Sequence, residues 1–228
     1  MTPLIMTPLP EEFDFFIQAI QARGVHAIEG NLGPVRTADL WELGAIIAIG
    51  GHGKTQFAVQ TRYLLDQVAD VSLVLCVGAA GALAPELEVG DVVLGTDTVE
   101  HVYRLRFVSR PDPRFPGDPD VIASLTGCGT ELPYKVVAAT LASGDEDIID
   151  TNRAIELAVH TGAMAVAWEG AGAARACRLT GVPHVEVRGI TDSADHDAPG
   201  SFEQHLAAAM SNVAHLIVRW AKGMSPSA

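Results

Sequence analysis

The spacing of apolar positions switches repeatedly along the chain between the three-to-four period of a helix and short unbroken runs typical of buried strands. Phe13, Phe16, Ile17 and Ile20 follow helical spacing behind Pro10-Glu11-Glu12, which predicts a helix over 10–23 ending near Gly24. The unbroken apolar run 45–49 leads into Gly50-Gly51-His52-Gly53 and reads as a buried strand entering a tight turn. A helix with Phe57, Leu64 and Leu65 on one face follows, and then a second buried strand, 71–77, runs into the glycine-rich turn Gly78-Ala79-Ala80-Gly81. Residues 91–99 are β-branched and strand-like, whereas 110–120 hold four prolines and read as a long loop. Further strands are expected at 136–141, 163–168 and 184–187, helices near 149–160, 169–180 and 201–220, and a frayed tail at 223–228. Alternation of the two signals from end to end, without a repeat, predicts a sheet flanked by helices.

Composition narrows the reading. The 228 residues, 48% hydrophobic, suffice for one sizeable core and need no division into domains. A net charge of -13, from 15 Lys+Arg against 28 Asp+Glu, opposes binding to nucleic acid or to anionic lipid. Cys76, Cys128 and Cys177 are odd in number and widely spaced, as expected of reduced thiols rather than of a metal or disulfide framework. No apolar run approaches the roughly 20 residues of a spanning helix, and the N-terminus lacks the basic start of a signal peptide. A soluble, cytoplasmic protein is expected.

Several motifs could carry chemistry. Ala48-Ile49-Gly50-Gly51-His52-Gly53-Lys54-Thr55 fits the loose pattern of a phosphate-binding loop between strand and helix. The run 71–77, however, ends without the Asp that a nucleotide triphosphatase needs for Mg²⁺, so a plain tight turn with a solvated Lys54 competes with it. Gly78-Ala79-Ala80-Gly81 permits either close approach of a ligand to backbone N–H groups or close packing of helix on strand. Glu12, in the first turn of its helix, could serve only the helix dipole. Glu169 directly follows an apolar strand and either caps a helix or faces a cleft. Val185, Val187 and Ile190 read as a short buried strand, with Arg188 and Asp192 at and beyond its end, where open α/β sheets present ligand-binding groups. Asp192 could equally be a cap or turn residue, as Asp195 and Asp197 could.

The order of these motifs resembles the nucleoside phosphorylase and nucleosidase superfamily, in particular its 5'-methylthioadenosine/S-adenosylhomocysteine nucleosidase branch. The resemblance covers most of the chain, from Leu4-Ile5-Met6-Thr7-Pro8-Leu9-Pro10-Glu11-Glu12 and Gly51-His52-Gly53-Lys54 through Val77-Gly78-Ala79-Ala80-Gly81 and Val89-Gly90-Asp91. It continues with Ala142-Ser143-Gly144-Asp145, Ala165-Val166-Ala167-Trp168-Glu169-Gly170 and Val187-Arg188-Gly189-Ile190-Thr191-Asp192. It implies a single three-layer α/β/α domain over 1–222 with a mixed central sheet, acting on a small-molecule nucleoside without metal or organic cofactor. Cleaving an N-glycosidic bond builds cationic character on the sugar and negative charge on the base, so an acid at the base and a base at the attacking water are needed. By resemblance Asp192 is that acid and must carry its proton when it donates to the purine. Glu12 is the base that takes a proton from water on the opposite sugar face, as in inverting glycoside hydrolysis. Glu169 would clamp both ribose hydroxyls, with Arg188 beside the water and ribose. Ile148 would meet the base through its backbone, Ala80 and Gly81 would line the same pocket, and His52 and Trp168 would lie near the sugar and its 5' end.

The chain also departs from this pattern. Ala167 and Trp168 stand where an acid and a Met are usual, Asp147 where an aromatic residue stacks on adenine, and Ala79 where Ser is frequent. The base and the 5' substituent are therefore open, a futalosine-like nucleoside included. The superfamily's phosphorylases place an Arg where Cys76 stands and another in an N-terminal Gly-Asp-Pro motif that is absent, which favours water over phosphate. Phosphorolysis, with His52 and Lys54 supplying positive character, remains an alternative, as does a non-catalytic nucleoside sensor. The resemblance and the segment 101–118, with Tyr103, Phe107 and Phe115, lead us to expect a homodimer in which this segment covers the neighbour's pocket.

Overall fold

The computed structural model describes residues 2–103, 105 and 107–224. Strands and helices alternate as β1 (Thr2–Thr7), α1 (Pro10–Gln21), the hairpin β2 (Ala27–Leu32) and β3 (Val35–Leu40), β4 (Ala45–Ile49), α2 (Lys54–Gln67) and β5 (Val71–Ala82). The second half runs β6 (Val92–Glu100), β7 (Arg114–Pro116), α3 (Pro119–Gly129), β8 (Val136–Ser143), α4 (Thr151–Thr161), β9 (Ala165–Ala167), α5 (Gly170–Thr180), β10 (His184–Asp192) and α6 (Ala198–Met224).

One mixed sheet organises the domain. Strand β5 pairs in parallel with β1 and β10 and antiparallel with β9. Because β10 also pairs with β6, β6 with β8 and β8 with β9, these five strands close on themselves, while β1, β4, β3 and β2 extend the sheet outward. Period-two alternation along β5 builds a core on each face. Leu73, Leu75, Val77 and Ala79 pack with residues of α1, α3 and α6, and Val74 and Cys76 with Phe57, Leu64, Ala173 and Cys177 of α2 and α5. Each fully buried Leu, Val or Phe contributes roughly 1.5–3 kcal/mol. The closed end takes one cluster from all five strands, and small side chains (Ala80, Ala82, Ala139, Ala165, Ala167) beside Val93, Leu141 and Ile190 let so few strands meet.

The site follows from how β5 changes partners. Its pairing with β1 ends at Cys76 opposite Met6, and its pairing with β9 begins at Gly81 opposite Val166. On that side the backbone from Val77 to Ala80 has no strand neighbour, which opens a crevice at the carboxyl end of β1.

The three-layer α/β/α fold with a mixed sheet is as expected, with local corrections. Gly78-Ala79-Ala80-Gly81 is not a turn after a strand but the second half of β5 itself. Strand β10 continues past residue 187 to Asp192, so Arg188 and Asp192 are strand residues. The hairpin β2–β3 went unread because β2 is almost wholly exposed and shows no alternation. The proline-rich segment 110–120 contains β7 and the start of α3. Phe115 is buried against Ala171 and Ala174 of α5 in its own chain, whereas Tyr103 and Phe107 are exposed. The last helix runs through Gly223 and Met224, and residues 225–228 of the expected tail lie outside the described residues. Cys76 and Cys177 are buried and Cys128 half-buried, all as free thiols. No described helix is long and apolar enough to cross a membrane.

Candidate active site

A cavity of about 480 Å³ opens at the crevice, and its lining includes Glu12, His52, Ala80, Gly81, Ile148, Trp168, Glu169, Arg188 and Asp192. The structure thus brings these nine candidate site residues to one place. They arrive from α1, the β4–α2 turn, β5, the loop after β8, the β9–α5 junction and β10.

Glu12 lies in the first turn of α1, which Pro10 begins. One carboxylate oxygen accepts the N–H of Leu9 at 2.9 Å and so caps its own helix; the other reaches across the crevice to the N–H of Ala79 at 2.8 Å. That second donor is free because β5 has no strand neighbour there. Burial, and then the nearby Glu169, raise the Glu12 pKa from 4.5 to about 7 against the pull of these donors and of Arg188.

Glu169 occupies the N-cap position of α5 but does not cap that helix. Its oxygens accept instead from the N–H of Gly53 at 3.1 Å and from Arg188 Nη2 at 3.4 Å. Burial raises its pKa, with Arg188 and the Gly53 N–H opposing. Ser143 fixes the junction that carries Glu169: its hydroxyl donates to the Trp168 carbonyl at 2.7 Å and accepts the Ala171 N–H at 2.9 Å. The His52 ring meets Trp168 edge to face at 4.3 Å, walling this side of the cavity.

Asp192 ends β10, accepting the Thr191 hydroxyl at 2.7 Å and the N–H of Ala194 at 2.9 Å. The second bond holds Ala194 at φ 50, a left-handed conformation uncommon for a residue with a side chain. Asp192 is thus the last residue of a strand whose side chain also holds the turn that follows, and it lines the cavity.

The glycines of β5 are explained by these neighbours. A Cβ on Gly78 would lie 2.6 Å from Arg188 Nη1 and 2.8 Å from Glu12 Oε1, and one on Gly81 would lie 2.7 Å from Asp192 Oδ1. Their smallness admits the protein's own functional side chains.

Arg188 is 1% exposed. Its Nε donates to Glu186 at 2.8 Å, Nη1 to the Ala79 carbonyl at 3.3 Å, and Nη2 faces Cys76 Sγ at 3.5 Å as well as Glu169. Burial works against its charge, but the surrounding Cys76, Glu186, Glu169 and Glu12 outweigh that and raise its pKa. Among the described residues lining the cavity it is the one Arg or Lys. The opposite partner, Glu186, was not singled out from the sequence. The available signal was a charge between Val185 and Val187 inside the expected strand 184–187.

The phosphate-loop alternative does not survive the geometry. A helix N-terminus binds phosphate through free N–H groups, but at α2 the N–H of Gly53 is taken by Glu169 and that of Lys54 by Asp145 at 2.9 Å. Lys54 is not solvated either, since its ammonium pairs with Glu100 at 3.2 Å. Asp195, His196 and Asp197 form a cluster of potential metal ligands among the described residues, but they lie outside the cavity lining.

A sheet that opens where β5 changes partners, with carboxylates from three elements around the opening, defines an α/β protein with a small-molecule site. The chain belongs to the phosphorylase superfamily, whose family model matches residues 3–222. It is 30% identical over 202 residues to the 5'-methylthioadenosine/S-adenosylhomocysteine nucleosidase of Exiguobacterium sp., covering 85% of this chain and 83% of that one. The nucleosidase of Neisseria meningitidis in complex with methylthio-immucillin-A superposes with a TM-score of 0.83 at 26% identity, over 98% of this chain and 99% of that one. A futalosine hydrolase mutant of Helicobacter pylori superposes with a TM-score of 0.84 at 23% identity, over 98% and 100% of the two chains.

Proposed function

We propose that this chain hydrolyses the N-glycosidic bond of a 5'-modified purine-type nucleoside, releasing free base and free sugar. The observation that carries the reading is the convergence of Glu12, Glu169 and Asp192 on one cavity whose guanidinium is already held by carboxylates. The nucleosidase relatives support the same reaction and a 5'-thio-substituted substrate. Inorganic phosphate needs cations to hold it, and among the described residues lining the cavity only His52 stands beside the occupied Arg188.

In this reading water attacks the anomeric carbon as the bond to the base breaks, and the bonding pair leaves with the base. Asp192 gives its proton to the leaving base, and the Thr191 hydroxyl can turn between Asp192 and the Ala80 carbonyl, 2.7 and 3.4 Å away, as that proton moves. Glu12 takes the proton from water; its raised pKa makes it a stronger base than an ordinary carboxylate. Glu169 accepts the ribose hydroxyls and opposes the developing sugar cation. Asp147, Ile148 and Phe202 line the same cavity, and in this reading they receive the base, with Phe202 as the apolar ring in place of the aromatic residue that Asp147 replaces. His52 and Trp168 face the 5' side. No step requires a metal or organic cofactor.

The working form is a homodimer in the cytoplasm, with no nucleic-acid or membrane partner. Exposed Tyr103, Leu105, Phe107 and Val108 support the dimer, and Ile149, Ile155 and Val159 add further exposed apolar surface. A panel of 5'-modified purine nucleosides, assayed with and without phosphate, tests the reaction. Free base and free sugar without phosphate are expected. A sugar phosphate formed only with phosphate would make the chain a phosphorylase, and binding without release would make it a sensor.

A further inference from the structure

Glu186 is among the most deeply buried carboxylates of the chain, at 1% exposure, and the reaction as described above gives it no task. It sits two residues before Arg188 on β10, so both side chains leave the strand on the same face. One oxygen accepts Arg188 Nε at 2.8 Å and the other accepts the Thr98 hydroxyl of β6 at 2.7 Å. The fold makes room for it: a Cβ on Gly170, the residue after Glu169, would lie 1.9 Å from Glu186 Oε2. A buried charge of this kind is costly unless it is paired and fully hydrogen-bonded, as this one is.

We propose that Glu186 is a positioning residue that fixes Arg188 from behind and offsets its charge, so that the cavity presents no uncompensated cation to an oxyanion and water is the nucleophile. The inference rests on the hydrolytic reading above. The two Nη atoms of Arg188 hold the Ala79 carbonyl and Glu169, both of residues that line the cavity, whereas its Nε donates to Glu186, which is not among the lining residues. With Nε held by Glu186 and the two Nη atoms by the Ala79 carbonyl and Glu169, no edge of the guanidinium is left free for bidentate pairing with phosphate. Around that one cation stand Glu12, Glu169 and Glu186, with Cys76 at its far edge. Removing the charge of Glu186 while keeping its shape takes away the closer of the two ion pairs of Arg188, 2.8 Å against 3.4 Å to Glu169, and so lowers the negative charge that opposes an oxyanion at this guanidinium.

The test is inhibition of base release by inorganic phosphate at constant ionic strength, for wild type, Glu186→Gln and Glu186→Asp. Gln keeps an acceptor oxygen for Arg188 Nε and can donate its NH2 to the Thr98 hydroxyl, which turns to accept, but loses the charge; Asp keeps the charge. We expect wild type and Glu186→Asp to be indifferent to phosphate and Glu186→Gln to be inhibited at about tenfold lower phosphate or better, as follows when an anion meets an Arg that has lost its closer ion pair. Glu186→Gln that hydrolyses and ignores phosphate overturns the proposal, as does equal sensitivity of both variants, which would mean general loosening. If Glu186→Gln does not fold, Glu186→Met is measured in its place with the same two outcomes. Failure of both to fold beside a folded Glu186→Asp gives the pair a structural role only and overturns the proposal. A wild type that releases base only with phosphate refutes the hydrolytic reading itself.

Discussion

Glu12 does two jobs with one carboxylate, capping the helix that carries it and bonding the backbone of β5 across the crevice. Burial and Glu169 hold its folded pKa near 7, above the ordinary 4.5, so the folded chain binds this proton more tightly than the unfolded chain. The stability contributed by the protonated form is therefore complete below about pH 4.5 and is lost as pH rises through about 7. Ionising Glu12 at pH 8 costs on the order of 3 kcal/mol. Replacing it by Gln should then raise the melting temperature relative to wild type more at pH 8 than at pH 5. A gain that is equal at both values, measured calorimetrically, would remove the shift from the account. As the base that accepts a proton from water, Glu12 must be ionised in the reactive form. The kcat/KM profile should therefore fall on the acid side with a midpoint about 7, set by this group.

Positions of whole elements decide whether those residues meet. Ser143, at the end of β8, ties the β9–α5 junction through two bonds and so sets where Glu169 points. Ser143→Ala should cost about 1–2 kcal/mol of stability, since it leaves the Ala171 N–H without this partner, and should raise KM more than it lowers kcat if Glu169 clamps the ribose. Gly78→Ala should be more damaging to turnover, because its methyl collides with both Arg188 and Glu12. Overpacking of this kind costs about 1–3 kcal/mol. These same elements show what could be read in advance. Strand β4 was legible to the residue because its apolar run is bounded by glycines, and α1 nearly so because Pro10 and the Phe13–Ile20 spacing agree. The second half of β5 looked like a turn because glycine there serves neighbouring side chains, which only the folded chain reveals. Helix α3 was lost to the prolines around it, although Asp118 caps it and Pro119 begins it. Glu169, Arg188 and Asp192 were visible as charges at the ends of apolar runs. Glu186 was not, since its role lies in the residue it pairs with.

At the scale of the molecule, the closed end of the sheet is Ala-lined, and the cavity sits where that end meets the open half. On the surface proposed for the dimer contact, Phe107 is fully exposed and Tyr103 and Leu105 are half-exposed. Sedimentation of the wild type should give a dimer, and Phe107→Asp should weaken association and raise KM together if this segment covers the neighbour's pocket. A wild type that sediments as a monomer at working concentration would end that expectation. The central claim concerns three carboxylates acting on one bond. It is tested most directly by the rate of base release, in phosphate-free buffer, from folded Asp192→Asn and Glu12→Gln. The account predicts that each loses at least about a hundredfold, as expected for removal of a general acid or base; a variant that keeps the wild-type rate would contradict it.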